Sequence, residues 1–298
     1  MSLLDRAVVT LLPAVPKPVV RLLSSRYIAG SEITDARRVV ARLNAEGKLA
    51  TVDVLGEEIT SAEEATAITR AYLDMLDAID EDGLDANVSV KLTGLGLLLD
   101  PGLARENLEE IAARGAFVRI DMEDSSTTDA TLDLYRELVA DGYENLGVVL
   151  QAALKRTVDD ARALAGANVR LCKGIYIEPP ELAHRDFEAV RDSYVRTLDV
   201  LLDGGAYVGI ATHDEVLVDR GIAAVRERAL DPAQYELQML LGVRPELGNR
   251  VVAGGHRLRI YVPFGRQWYE YSLRRLQENP KIAGYVAGDL GRSLFRRR

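Results

Sequence analysis

Two adjacent arginines near the end of the chain are the residues whose type and spacing most directly suggest chemistry. The stretch YEYSLRRLQENP, residues 269–280, has helical spacing and ends at a proline, which stops a helix. One stripe of this helix is polar where apolar residues are normally expected, and it consists of Tyr271, Arg274, Arg275 and Glu278. Guanidinium groups bind carboxylates in a two-pronged geometry, so the pair favours a small anionic ligand. The alternative is a solvated face carrying a weak Arg274–Glu278 ion pair.

The rest of the chain alternates between short β-branched or apolar runs and helical patterns. Eight such runs occur: TVDVLG (51–56), NVSVKLTG (87–94), FVRIDMED (117–124), LGVVLQA (146–152), VRLCKG (169–174), YVGIATHD (207–214), YELQML (235–240) and LRIYVPFG (258–265). Strands that alternate with helices predict parallel βα units, and eight units predict a (β/α)8 barrel of the TIM type. A doubly wound sheet is the alternative, but no G-x-G-x-x-G follows a strand. We therefore predict an N-terminal helical arm over residues 1–50 and a catalytic barrel over residues 51–298.

Polar side chains are concentrated where the predicted strands end, which is where barrel enzymes carry their chemistry. The predicted rim contains Lys91, Asp121, Glu123, Gln151, Arg170, Lys173, Tyr176, Thr212, His213, Asp214, Glu236, Gln238 and Tyr261. So many polar groups on one rim indicate a binding site. The final helix follows the eighth strand, so its arginines are expected to lean over the same mouth. Tyrosine rings add apolar faces with polar tips, and the sequence thus predicts a barrel enzyme that acts on a small carboxylic acid.

Composition narrows the class of protein. The 298 residues carry a formal net charge of −9, which argues against nucleic acid and against wholesale binding to anionic lipid. The single cysteine, Cys172, rules out an intrachain disulfide and fits a reducing cytoplasm. The sequence has no H-E-x-x-H or other compact metal motif, so no metal is expected.

Other chemistries on the same barrel stay open at this point. Lys91 and Lys173 stand at strand ends, where either could be the Schiff-base nucleophile of an aldolase. A non-catalytic barrel that only binds small carboxylates is a third reading. Physical reasoning from the residues does not by itself name the reaction.

Several motifs, in this order, resemble the proline dehydrogenase family. They are VKL, RIDMED, VVLQAAL, RLCKGIY, ATHD, YELQMLLGVRPE, RIYVPFG and YSLRRLQEN, and they extend over about residues 50 to 280. The most specific are RLCKGIY and the final Y-x-x-R-R-x-x-E. The resemblance implies a stand-alone bacterial enzyme with a distorted barrel that holds non-covalent FAD. It implies oxidation of L-proline to Δ1-pyrroline-5-carboxylate by hydride transfer to the flavin, with a quinone as the next electron acceptor.

The resemblance also assigns roles to residues. Arg274 and Arg275 are expected to clamp the proline carboxylate. The remaining substrate residues would be Lys91, Asp121, Tyr176, Tyr261, Tyr271 and Glu278. The flavin would contact Gln151, Arg170, Lys173, Gly174, Thr212, His213 and Glu236. ATHD departs from the commoner THN, so a flavin contact at Asp214 is open.

A quinone acceptor would require contact with a membrane. The N-terminal stretch is broken by prolines and carries charges, so we predict no spanning helix there. The expected location is cytoplasmic, with peripheral contact at the inner face of the cell membrane through the N-terminal arm or the arginine-rich end GRSLFRRR. The alternatives are an arm packed on the barrel and a solvated tail.

Overall fold

The computed structural model describes residues 26–56, 59–269 and 271–272. The strands are β1 (Leu49–Val54), β2 (Ala86–Val90), β3 (Val118–Ile120), β4 (Leu146–Gln151), β5 (Asn168–Cys172), β6 (Tyr207–Ala211), β7 (Tyr235–Leu240) and β8 (Leu258–Phe264). The helices are α1 (Ile33–Ala45), α2 (Ala62–Glu81), α3 (Pro101–Ala112), α4 (Thr128–Ala140), α5 (Thr157–Arg162), α6 (Phe187–Asp203), α7 (Glu215–Glu227) and α8 (Pro245–Ala253).

All eight strands are parallel and form one closed barrel in sequence order, with β8 paired to β1. The predicted barrel is therefore confirmed, and each predicted run overlaps one strand. Several runs extend past the carboxyl end of their strand. β3, for example, ends at Ile120, whereas the run continues to residue 124. The extra residues include polar ones of the predicted rim, such as Asp121 and Lys173.

The strands alternate in chemistry because their two faces lie in different surroundings. One face packs under the helices and is aliphatic; Val52, Val88 and Val118 are fully buried there. The other face points into the barrel and is polar, as shown by hydrogen bonds that join strands not adjacent in the sheet. Asp121 after β3, for example, is bonded to Arg170 of β5 and to Tyr261 of β8. Barrel interiors are usually filled by branched aliphatic residues, so this polar filling is a feature of the site.

Side-chain caps fix where the helices begin after the rim loops. Ser61 accepts a hydrogen bond from the backbone N–H of Glu64 at the start of α2, and Asp186 accepts two at the start of α6. Asp214 caps α7 by accepting from the N–H of Val216. These caps define the length of each loop between a strand end and its helix, and so the position of the loop residues over the barrel.

The segment before β1 lies against the barrel. Ala36 and Val40 of α1 are fully buried, and α1 contacts β1 and β8. The backbone N–H of Ala29 donates to the carbonyl of Pro263, which ties this segment to the end of β8. The division of the chain at residue 50 stays a prediction, and residues 1–25 of the predicted arm lie outside the described residues.

Candidate active site

Asp121 is the centre of a buried hydrogen-bond network at the carboxyl end of the barrel. Its Oδ2 accepts a 2.8 Å hydrogen bond from the hydroxyl of Tyr261. Its Oδ1 accepts from Nη1 of Arg170 at 2.6 Å and from the hydroxyl of Ser89 at 2.8 Å. Side chains from β2, β5 and β8 thus converge on one carboxylate that follows β3. The predicted grouping of Asp121, Arg170 and Tyr261 on one rim matches this geometry.

Lys91 completes this network from the end of β2. Its Nζ lies 2.9 Å from Oδ1 of Asp53, 3.1 Å from the Tyr261 hydroxyl and 3.7 Å from Oδ2 of Asp121. Asp53 is fully buried and also accepts from the hydroxyl of Tyr72 on α2 at 3.3 Å. Two carboxylates beside one amine favour the protonated ammonium. A Schiff-base lysine needs the opposite surroundings, a desolvated amine or one next to another cation.

The protonation states of the two central groups follow from their partners. Burial acts to raise the pKa of Asp121, but the charges of Arg170 and Lys91 and the Tyr261 hydrogen bond outweigh it and hold that pKa below its ordinary value. Burial, with the Asp121 carboxylate beside it, raises the pKa of Tyr261 well above the ordinary value. At neutral pH the pair is therefore a carboxylate that accepts and a phenol that donates.

Arg170 is held on a second side by β7. Its Nε donates to Oε1 of Gln238 at 2.5 Å, and Nε2 of Gln238 donates to Oε1 of Glu236 at 2.5 Å. Arg170 also lies over the ring of Tyr261, with its guanidinium carbon 5.3 Å from the ring centroid. Arg170 is buried, and among the described residues its Nη2 has no hydrogen-bond partner.

Glu236 is not at the rim, which corrects the prediction that placed it at the carboxyl end of β7. It is the second residue of that strand and is 2% exposed. Its Oε1 accepts from Nε of Arg259 at 2.7 Å and its Oε2 from the hydroxyl of Tyr207 at 3.0 Å. Sequence order puts Glu236 nearer the amino end of the strand than Gln238, but the motif YELQML does not show how deep in the barrel each residue lies.

The floor of the barrel is a layer of charged groups below the Asp121 network. Arg119 of β3 donates to the carbonyls of Val148 and Asn168, and burial lowers its pKa to about 9. Burial acts to raise the pKa of Glu236, but the Arg259 guanidinium outweighs it and the pKa is lowered. Gly147 makes room for Arg119, since a Cβ at that glycine would lie 2.5 Å from Nη1.

A second part of the rim lies where β4 and β5 end. Gln151 is the last residue of β4, and its Nε2 donates to the carbonyl of Glu123 at 2.6 Å. Gly174 follows β5 with φ of 95°, and a Cβ there would lie 2.8 Å from Oε1 of Gln151. Glu123 is turned to the neighbouring loop, where it accepts from the N–H of Thr93 at 3.1 Å. The structure therefore brings Gln151 and Gly174 into direct contact at this part of the rim.

Lys173 and Asp214 form an ion pair between the ends of β5 and β6. Nζ of Lys173 lies 2.6 Å from Oδ2 of Asp214, and Arg191 of α6 donates to both Asp214 oxygens at 2.7 and 2.8 Å. The hydrogen bonds from Arg191 and Lys173 hold the pKa of Asp214 well below its ordinary value. Both cations also lie over the ring of Phe187, at 4.6 Å and 4.3 Å from its centroid. The unusual carboxylate in ATHD is thus neutralised by a partner from α6.

Thr212 and His213 follow β6, and their side chains accept hydrogen bonds from backbone N–H groups. The hydroxyl of Thr212 accepts from the N–H of Asp214 at 3.1 Å. Nε2 of His213 accepts from the N–H of Leu240 at 2.9 Å, which links the ends of β6 and β7. These bonds neither support nor contradict the predicted contact of Thr212 and His213 with a flavin.

Of the remaining predicted residues, Tyr176 and Tyr271 are described, and the others lie at the end of the chain that is not described. Tyr176 lines a cavity of about 360 Å³ with Lys173, Gly174 and Phe187. Tyr271 is buried in a small apolar cluster with Ile28, Leu55 and Trp268. Arg274, Arg275 and Glu278 lie outside the described residues.

Four interior residues escaped the sequence analysis: Asp53, Ser89, Arg119 and Arg259. Each stands at an inward position of a strand, between apolar neighbours that face the helices. A polar or charged residue between apolar neighbours was the available signal, because period-two alternation places it in the barrel interior. Across the described ranges, no group of histidine, cysteine and acidic residues could hold a metal ion. No helix among the described residues is long and apolar enough to span a membrane.

A closed parallel barrel with a charged network at its carboxyl end defines a (β/α)8-barrel enzyme site. The family model described as Proline dehydrogenase matches residues 36–287. Proline dehydrogenase 1 of Bacillus subtilis (strain 168) is 36% identical over 272 residues, covering 89% of this chain and 90% of that protein. Proline dehydrogenase of Deinococcus radiodurans is 35% identical over 274 residues, covering 89% and 88%. The chain therefore belongs to the proline dehydrogenase family.

Solved structures show the same fold. Proline utilization A (PutA) from Bdellovibrio bacteriovorus, inactivated by N-propargylglycine, matches with a TM-score of 0.81 and 22% identity, over 91% of this chain and 36% of that chain. PutA from Corynebacterium freiburgense matches with a TM-score of 0.76 and 21% identity, over 95% and 34%. This chain thus spans about a third of these solved chains. The predicted enzyme class is confirmed by the family membership, which decides against the Schiff-base aldolase alternative.

Proposed function

We propose that this enzyme oxidises L-proline to Δ1-pyrroline-5-carboxylate, with non-covalently bound FAD as the hydride acceptor and a quinone as the next acceptor. The observation that carries the proposal is the Asp121 network, which collects Arg170, Tyr261 and Lys91 from three other strands at the mouth of a barrel of the proline dehydrogenase family. Such a network is costly to bury and is typical of a site in which charge has to be positioned.

The residues at the ends of β4 and β5 fit a flavin. Gly174 is partly exposed after β5, and its lack of a Cβ lets the Gln151 side chain lie against its backbone. Lys173 beside it is 28% exposed and provides a cation at the edge of the cavity. Arg170 has Nη2 left to donate after its bonds within the network. Cationic donors beside a partly exposed strand end suit a planar cofactor that carries phosphates and gains negative charge on reduction.

When bound, FAD supplies the two-electron acceptor that the side chains lack. Gln151, Lys173 and Gly174 would hold it at the strand ends, and Arg170 would stabilise the negative charge that reduction creates. Thr212 and His213 are proposed as further contacts on the β6 side. Glu236 is too deep in the barrel to share that role directly, since Gln238 lies between it and Arg170.

The substrate would lie over the Asp121 side of the rim. Lys91 and Tyr261 present an ammonium and a phenol there, and Tyr176 and Tyr271 would add ring surface. We assign the carboxylate clamp to Arg274 and Arg275, with Glu278 on the same helix stripe. Their placement lies outside the described residues, so this assignment rests on the sequence and the family.

The network contains no group suited to take the amine proton from proline near neutral pH among its described members. Asp121 holds a lowered pKa and Tyr261 a raised one, so neither changes protonation in that range. We therefore expect the substrate amine to lose its proton to solvent, and not to Asp121 or Tyr261, before the carbon next to nitrogen is oxidised. Asp121 and Tyr261 would then bind and orient the substrate and would not relay protons.

A single anaerobic spectrum tests the proposal. We expect the purified protein to be yellow and to lose its flavin absorption when L-proline is added without oxygen. A colourless protein that takes up no added FAD contradicts it. A flavoprotein that proline does not bleach favours the alternative of a non-catalytic barrel that binds small carboxylates.

A further inference from the structure

We propose that Gln238 is a positioning residue that fixes the guanidinium of Arg170. Glu236 and Arg259 in the barrel floor hold Gln238 in place for this role. This inference rests on the proposed flavin function. It assigns a role to the residues of the barrel floor, to which the proposed function assigns none.

The hydrogen bonds around Gln238 allow one orientation of its amide. Its oxygen accepts from Nε of Arg170, and its nitrogen donates to Oε1 of Glu236, both at 2.5 Å. A flipped amide would set NH2 against the Arg170 donor and oxygen against a carboxylate. Since Glu236 accepts and Arg170 donates, the amide is locked between them. Gln238 is 5% exposed, so water does not compete for either bond.

Glu236 is itself fixed from below. Arg259 donates to it at 2.7 Å and is anchored by a 2.7 Å bond to the carbonyl of Ala50, while Tyr207 donates to the other carboxylate oxygen. A continuous chain thus runs from the backbone of β1 through Arg259, Glu236 and Gln238 to Arg170. Arg170 then has Asp121 on one side and Gln238 on the other, which leaves its planar group a single setting.

The strand between Arg170 and Gln238 is built to let them meet. Gly209 of β6 lies in register with Arg170 of β5 and with Glu236 of β7. A Cβ at Gly209 would lie 2.5 Å from Nε2 of Gln238 and 2.9 Å from its Cδ. Gln238 therefore reaches across β6 only because position 209 has no side chain. Gly209→Ala would displace the amide without removing a charge or a polar group.

The midpoint potential of the bound flavin, measured by equilibration with a reference dye, is the readout. A correctly placed cation favours the reduced flavin, so displacing Arg170 should lower the potential. For Gln238→Leu and for Gly209→Ala we expect the reduction equilibrium to fall about tenfold, which is about 30 mV for a two-electron couple. Gly221→Ala is the control. A Cβ at Gly221 of α7 would lie 3.1 Å from Ile210, which is on the outer face of β6, the strand that also contains Gly209.

Gln238→Glu adds a signature that a purely structural role would not show. The new carboxyl would share one proton with Glu236, because two adjacent carboxylates do not both ionise readily. In the protonated form it can still donate to Glu236 and accept from Arg170. The charged and titratable groups around this pair are Arg170, Arg259, Tyr207, Arg119 and Asp121. The midpoint potential of Gln238→Glu should be compared with that of the parent at each pH. The two should be equal on the acid side, and the variant should fall reversibly below the parent as pH rises.

The outcomes separate the two proposals. Potentials of Gln238→Leu and Gly209→Ala within about twofold of the parent equilibrium, roughly 10 mV, would overturn the positioning role while leaving the flavin function intact. Absence of flavin, or no bleaching by proline in the parent, would contradict the function itself. If Gln238→Leu does not fold, Gly209→Ala and the acid-side recovery of Gln238→Glu decide the question, because both retain the buried polar groups.

Discussion

The hydroxyl of Tyr261 donates a 2.8 Å hydrogen bond to Oδ2 of Asp121, joining β8 to the end of β3 across the barrel mouth. The same hydroxyl lies 3.1 Å from Nζ of Lys91. The phenol stays protonated because burial and the carboxylate raise its pKa. The Tyr261 hydroxyl therefore holds the carboxylate of Asp121 and the ammonium of Lys91 in place without exchanging a proton with either.

Tyr261→Phe should lower catalytic efficiency with proline by roughly tenfold or more. Loss of a buried hydrogen bond to a charged group costs about 1.5–3 kcal/mol, and the ring would still pack against Arg170. The melting temperature should fall by only a few degrees. Steady-state kinetics and thermal melting check both values.

Tyr143→Phe is the matched control for this change, since the Tyr143 hydroxyl makes no hydrogen bond within the described residues. It should leave kinetics unchanged. Equal activity of Tyr261→Phe and the parent would show that the phenol only fills space.

Much of this fold could be predicted from the sequence, because each strand is a compact run bounded by turn residues and each helix has the right spacing. β7, for example, matches its predicted run, residues 235–240. Strand ends were harder: Asp121 and Lys173 follow a strand and belong to loops, although their runs read continuously. The local sequence pattern does not show at which residue a strand stops pairing with its neighbours.

The site was predicted less completely, because its partners are distant in sequence. Arg259 and Ala50, joined by a 2.7 Å bond, are 209 residues apart. Glu236 and Gln238 alternate with apolar residues in one strand, and only the barrel register separates floor from rim. Arg191, which neutralises Asp214, is on a helix that sequence analysis had assigned no role. Such pairings depend on closure of the barrel rather than on any local motif.

Flavin reduction by proline should accelerate as pH rises through the mildly alkaline range and then level off. The rising limb belongs to the substrate amine, since Asp121 stays ionised and Tyr261 stays protonated there. Anaerobic stopped-flow measurement of the reduction rate against pH checks this. Tyr261→Phe should keep the same midpoint at a lower rate, and a rate that declines steadily across the range contradicts the mechanism.

Asp214→Asn should lower the free energy of unfolding by roughly 1–2 kcal/mol at pH 7, because Arg191 and Lys173 lose a charged acceptor. The folded pKa of Asp214 lies below the unfolded value of about 3.9. Its stabilisation is therefore present above that value and is lost as pH falls below it. The gap between variant and parent should narrow below about pH 4.

Denaturant titrations at several pH values measure this gap. Asn retains the N-cap, so helix α7 should remain intact. Asp231→Asn is the control, because Asp231 caps a short 3-10 turn and forms no ion pair in the described part of the chain. A gap that stays constant down to pH 3 would show that the loss is not ionic.

Deleting residues 292–298 should weaken turnover with quinone embedded in vesicles while sparing turnover with a soluble quinone. The deleted segment carries three consecutive arginines, which would attract an anionic membrane surface. Both assays use the same preparation. Equal loss with both acceptors would make the segment structural, and no loss would make it a solvated terminus.

Arg274→Ala should lower the catalytic efficiency with L-proline by at least roughly tenfold, because the proline carboxylate loses a charge-assisted hydrogen bond worth about 1.5–3 kcal/mol. Stability should change little, since the substitution leaves Leu273 and Leu276, the apolar residues of the predicted helix, in place. Pyrrolidine, which is proline without its carboxylate, provides the second half of a double-substitution cycle. It should be a poor substrate for the parent and should lose little more in Arg274→Ala, because the interaction is already absent. Arg274 is tested before Arg275, which is expected to approach the flavin as well. If the variant impairs pyrrolidine and proline equally, the arginine does not bind the carboxylate and instead supports the cofactor or the fold.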